Sequence, residues 1–163
     1  MLAQVRSLAR EIYPQLIAIR HHLHQHPELS FQEHQTMQFI TEKLREWGIP
    51  FQAPVAGTGV VAILEGQQPQ SRVVALRADI DALPIEEAND VPYRSQHPGV
   101  MHACGHDVHT TCLLGAAYIL LQLRHIWQGT VKLIFQPGEE KHPGGASLMI
   151  RDGALENPRP SCI

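Results

Sequence analysis

The feature that most restricts the fold is a succession of three segments: Val73–Leu76, a helical stretch from about Asp107 to Trp127, and Val131–Phe135. A strand, a crossover helix and a second strand make a βαβ unit, whose two strands run parallel in one sheet. Parallel sheets are covered on both faces, so the chain is expected to be an α/β protein. Another β-type run, Val60–Leu64, precedes the unit, and a short helix of about Ala146–Arg151 follows it and stops at Gly153. The tail from Glu156 to Ile163 holds Pro158 and Pro160 and no periodic pattern, and it reads as a chain ending in a loop.

Ahead of the unit, Leu2, Val5, Leu8, Ile12, Leu16, Ile19 and Leu23 recur at helical steps. Pro14 is expected to kink this helix or split it in two, and His26-Pro27 ends it. Ser30-Phe-Gln-Glu33 has the form of a capping box. The helix it opens carries Met37, Ile40, Leu44 and Trp47 on one face and stops at Gly48.

Composition removes several classes of function. Sixteen acidic residues against 13 Lys and Arg give a net charge of −3, which leaves little electrostatic attraction for nucleic acid or an anionic membrane. The apolar run around Leu113–Leu123 is far shorter than the ~20 residues of a membrane span, and Arg6, Arg10 and Glu11 interrupt any signal-peptide core. Three cysteines make a disulfide framework unexpected and fit a reducing, cytoplasmic setting. Eleven histidines, against three tyrosines and four phenylalanines, are the anomaly.

The densest chemistry is the run His102-Ala-Cys104-Gly-His106-Asp107-Val-His109, placed where the crossover helix begins. Thiolate and imidazole on either side of a glycine can converge on one metal ion, and the positive end of the helix dipole is expected to favour the Cys104 thiolate. The alternative is a structural cysteine beside solvated histidines. Glu139 and Glu140 follow the last strand, where parallel sheets bind ligands. One carboxylate there could hold a metal and the other take a proton from water, or both could be solvated charge. Asp79 and Asp81 leave the Val73–Leu76 strand, and an aspartate there could orient a ligating imidazole by accepting its other N–H, or cap a turn. The cluster Arg20-His21-His22-Leu-His24-Gln-His26 lacks a nearby thiolate, has only Glu28 as a nearby carboxylate, and reads as a structural helix end.

These motifs have a shared precedent. Arg20 with His26-Pro-Glu-Leu-Ser30, Leu76-Arg-Ala-Asp-Ile-Asp-Ala-Leu-Pro-Ile85, Met101-His-Ala-Cys-Gly-His-Asp107 and Phe135-Gln-Pro-Gly-Glu-Glu140, with Gly144-Gly145-Ala146 after them, resemble the M20 metallopeptidases. The resemblance is strongest to the amidohydrolase branch, which includes hippurate, N-acyl-amino-acid and auxin-conjugate hydrolases. It implies a three-layer α/β/α domain of the zinc-peptidase type with two divalent ions (Zn²⁺, or Mn²⁺, Co²⁺ or Ni²⁺). It places metal ligands at Cys104, His106 and Glu140, the general base at Glu139, and a catalytic acidic residue beside the metals at Asp81. Asp79 stands where other branches carry a histidine ligand and is left outside the metal set.

Members of that family are much longer. The resemblance implies that residues 1–163 are the N-terminal portion of a catalytic domain. The inserted dimerisation domain and the C-terminal part would be absent, and the full-length parent could be a homodimer. Arg159-Pro-Ser-Cys-Ile163 stands where the family continues into a hydrophobic strand, so a truncated or frameshifted, inactive fragment is expected, with the Val131–Phe135 strand left as an uncovered edge. The expected activity of the parent is metal-dependent hydrolysis of the amide bond of a small N-acyl amino acid. Two alternatives stay open: a hydrolase using the Cys104 thiol as nucleophile, and a non-catalytic fragment that binds a metal or a partner.

Overall fold

A computed structural model describes residues 1–163. In chain order the elements are α1 (Leu2–Gln25), α2 (His34–Glu46), β1 (Phe51–Val55), β2 (Gly59–Glu65), β3 (Val73–Asp79), α3 (His106–Gln122), β4 (Thr130–Gln136) and α4 (Gly145–Arg151). The strands form one sheet in the order β1-β2-β4-β3. β3 and β4 are parallel neighbours joined through α3, as the βαβ pattern requires. The sheet as a whole is mixed, because β2 runs antiparallel to both β1 and β4.

Alternation along β4 separates two layers of core. Val131, Leu133 and Phe135 face a cluster that includes Ile19 and Leu23 of α1, Ile40 and Leu44 of α2, and Leu114 and Ala117 of α3. Ile134 faces the opposite side, with Val61, Ala75, Met149 of α4 and Ala154. The result is a three-layer α/β/α arrangement. Lys132, on the α4 side, is buried in the middle of the sheet. Its ammonium donates to the carbonyls of Ala154 at 2.9 Å and Glu156 at 2.6 Å, so the charge is partnered and the chain after α4 is tied down.

Several expectations are corrected. α1 runs unbroken through Pro14. Pro14 lies on the exposed face, where water can serve the freed Arg10 carbonyl, while buried Ile12, Ile19 and Leu23 anchor both halves. β1 leaves no clear strand pattern in the sequence, because Pro54 interrupts a five-residue run. It sits at the sheet edge, where proline is tolerated. β4 is an interior strand, flanked by β2 and β3, and the edges are β1 and β3. The tail also has a partner: Ser161 N–H donates to Val73 O and Ala75 N–H to Cys162 O, each at 2.9 Å, along the outer edge of β3. No helix is long and apolar enough to cross a membrane.

Candidate metal centre

Because β3 and β4 are parallel and Asp79 is in register with Gln136, both strands leave the sheet at the same end. Asp79 and Asp81 follow from β3, and Glu139 and Glu140 from β4. α3 starts between them with His106, and its N-cap is Gly105 at φ +89°, a left-handed turn that glycine adopts without steric penalty. Cys104 precedes that turn and is exposed. Residues distant in sequence are thereby gathered around one imidazole.

His106 is buried, and its two ring nitrogens have different surroundings. Nδ1 donates to Asp81, with the backbone oxygen at 2.9 Å and Oδ1 at 3.2 Å. Nε2 faces Asp79 Oδ2 at 3.6 Å, Glu140 Oε1 at 3.8 Å and Glu139 Oε2 at 4.0 Å. Burial acts to lower the His106 pKa, but the bond to Asp81 and the charges of Asp79 and Asp81 outweigh it, and the net shift is upward. Asp81 is itself fully enclosed. Burial alone would raise its pKa, yet hydrogen bonds from His106, from Ser30 and from the backbone of Glu140 and Glu139 lower it to about 2. It is therefore a fixed carboxylate that holds His106 by one side and leaves the Nε2 lone pair free.

Cys104, His106 and Glu140 each offer one donor atom, and the three atoms lie within 4.8 Å of one another. Glu140 Oε1 is buried and has no hydrogen-bond partner, the state of a carboxylate oxygen shaped for a cation. Thiolate, imidazole and carboxylate together suit a divalent ion of borderline softness. The residues present therefore fit such an ion. The Cys104 thiol pKa is raised, first by its hydrogen bond to the Glu140 carboxylate, with burial and the charges of Glu140, Glu139 and Asp79 adding. That direction is the opposite of what activates a cysteine nucleophile.

The frame around the site contains residues that local sequence patterns misassign. Ser30 and Glu33 do not form a capping box. Ser30 Oγ donates to Asp81 Oδ2 at 2.6 Å. Glu33 accepts from Gly138 N–H at 2.8 Å and Thr58 Oγ at 2.5 Å. Glu28 caps α2 instead, accepting from the backbone N–H groups of Gln35 and Thr36 at 3.1 and 2.8 Å. Asp81 Oδ2 also accepts from Glu140 N–H at 2.9 Å. Asp81 thus ties the β3 exit, the β4 exit and the start of α3 into one unit.

The histidine-rich end of α1 has a structural role. His24 Nδ1 lies 2.6 Å from Asp107 Oδ2 and its Nε2 3.1 Å from Glu87 Oε1, with Arg20 Nε 3.1 Å from the same Asp107 oxygen. Glu87, buried and unflagged by any local pattern, also accepts from Ser95 N–H at 2.6 Å. Asp107 is engaged in this network rather than in the donor set. His102 is buried with neither ring nitrogen partnered, and burial lowers its pKa to about 4.

Residues 75–163 match the sequence profile of peptidase family M20/M25/M40. The chain is 50% identical over 153 residues to an N-acyl-L-amino acid amidohydrolase of Geobacillus stearothermophilus, covering 94% of this chain and 41% of the relative. It is 51% identical over 142 residues to an N-acetyl-L-cysteine deacetylase of Bacillus subtilis, covering 87% of this chain and 34% of the relative. Among solved structures it resembles the YXEP protein of Bacillus subtilis, described as a dinuclear metal binding peptidase, with a TM-score of 0.87 and 43% identity over 94% of this chain and 42% of that one. The chain thus spans about 40% of the length of relatives that it matches.

Proposed function

Because the chain belongs to peptidase family M20/M25/M40, we propose that it supplies the metal-binding and proton-transfer half of an amidohydrolase acting on N-acyl amino acids. The observation that carries this reading is the convergence of Cys104, His106 and Glu140 donor atoms around a buried, unpartnered carboxylate oxygen. The names of the relatives, an N-acyl-amino acid amidohydrolase and an N-acetylcysteine deacetylase, support the substrate class.

Cys104, His106 and Glu140 would hold the cation. Two ions are proposed for the complete site, in keeping with the dinuclear description of the YXEP protein. A divalent cation at such a site polarises an amide carbonyl and makes a nearby water more acidic. Glu139 carries the proton. Its side chain is 42% exposed, with Oε2 4.0 Å from His106 Nε2, so it borders the donor set while open to substrate and water. Glu139 takes the proton of the attacking water and delivers it to the leaving nitrogen, so that amide and water become carboxylate and amine. Asp81 acts through His106, as a positioning residue.

Both candidate donor groups of this chain share His106, so the 163 residues alone are expected to hold one ion at a time and to turn over little or no substrate. Calorimetric titration with Zn²⁺, beside an assay on N-acyl amino acids, tests the reading. One zinc per chain in wild type, with affinity falling at least ~100-fold in Cys104→Ala, supports it. Unchanged zinc affinity in that variant contradicts it. Two tight ions with turnover would show that the chain is a complete enzyme.

A further inference from the structure

We infer that Asp79 and His109 form, with His106, a second donor set that takes a harder divalent cation such as Mn²⁺, in competition with the Cys104-containing set. The inference rests on the proposed metal role of His106. His109 lies one helical turn after His106 on α3, so both rings project from the same face. Their centroids are 5.5 Å apart. Asp79, the last residue of β3, meets both rings: Oδ1 lies 2.5 Å from His109 Nδ1 and Oδ2 lies 3.6 Å from His106 Nε2. The donor atoms of the three residues fall within 4.8 Å of one another, the same closeness as in the Cys104 set.

The two sets differ in chemistry. One carboxylate and two imidazoles, without thiolate, favour a harder ion than the set that includes Cys104 Sγ. The Asp79 side chain is almost fully enclosed, while that of His109 is 52% exposed, so the set has a rigid carboxylate and an open approach for the ion. Both sets need the lone pair of His106 Nε2, and that lone pair binds one ion at a time. Arg77 weighs against the second set, with its guanidinium 3.1 Å from Asp79 Oδ2. Its charge opposes a cation there, so this set binds more weakly than the thiolate set binds zinc.

Mn²⁺ titration of the 163-residue chain, read by the electron paramagnetic resonance of free Mn²⁺, tests the assignment without an activity measurement. Wild type should bind one Mn²⁺, Cys104→Ala should bind it within twofold of wild type, and His109→Ala should weaken it at least tenfold. Added Zn²⁺ should release the Mn²⁺ from wild type. In wild type, bound Mn²⁺ should broaden the His109 ring proton resonances, a readout that depends on no variant folding. Unaltered His109 resonances, absent Mn²⁺ binding, full affinity in His109→Ala, or simultaneous binding of Mn²⁺ and Zn²⁺ would each overturn it. Zinc affinity in Cys104→Ala reports separately on the proposed thiolate set, so failure of one reading is distinguishable from failure of the other.

Discussion

Asp81 holds His106 by its Nδ1–H, through both the backbone oxygen at 2.9 Å and the side-chain Oδ1 at 3.2 Å. That contact selects the tautomer and turns Nε2 toward Asp79, Glu139 and Glu140. Asp81→Ala removes no metal donor. It should nevertheless weaken Zn²⁺ binding ~10–100-fold, the usual cost of losing such support. Calorimetry on the variant measures this, and an affinity equal to wild type would show that His106 needs no help from the carboxylate.

Glu139→Gln should separate binding from chemistry. In an enzyme carrying this segment at the relatives' full length, metal content should be unchanged and turnover should fall by roughly 10²–10⁴, the contribution of a positioned base. Elemental analysis and amide hydrolysis on one preparation decide the matter. Full activity at full metal occupancy would remove Glu139 from the mechanism.

Part of this site is legible from sequence because its pieces are local. Cys104 and His106 are separated by one glycine, and Glu139 and Glu140 are adjacent after a recognisable strand. The remainder depends on long-range partners. Ser30 and Glu33 carry the spacing of a capping box, yet Asp81, the Gly138 N–H and Thr58 compete for them, and Glu28 caps α2 in their place. Glu87 meets His24 across 63 positions and leaves no periodic trace. The parallel β3–β4 pair could be read from its crossover helix. The antiparallel placement of β2 could not, since a buried central strand has the same apolar run in either direction.

Gly145 is a packing constraint on the loop that carries Glu139 and Glu140. A Cβ there would lie 1.6 Å from the Pro137 carbonyl oxygen, and the Gly145 N–H donates to Gly138 O at 2.9 Å. Gly145→Ala must displace the segment that carries Glu139 and Glu140. It should cost about 3 kcal/mol in denaturant unfolding and weaken zinc binding in parallel. A loss below ~0.5 kcal/mol, the scale of a neutral surface change, would mean that the loop accommodates the methyl group.

Glu87 predicts an acid limb in stability. Burial would raise its pKa, but the bonds from Ser95 N–H, His24 and Asn89 prevail and hold it below the ordinary glutamate value. A carboxyl group depressed in the folded state stabilises above its unfolded pKa and loses that contribution as pH falls through its folded pKa. Wild type should therefore exceed Glu87→Gln by about 2 kcal/mol at neutral pH, and the gap should close as pH falls below about 4.5. Urea unfolding of both proteins across that range checks it. A gap independent of pH would assign the effect to packing alone.

Cys104, His106 and Glu140 are proposed to close on one divalent ion. X-ray absorption at the zinc edge of the chain loaded with one Zn²⁺ tests it most directly. The predicted spectrum has a single sulfur scatterer at about 2.3 Å and nitrogen or oxygen scatterers at about 2.0–2.2 Å, with the sulfur shell absent in Cys104→Ala. A zinc-loaded wild type with only nitrogen and oxygen neighbours would contradict the account.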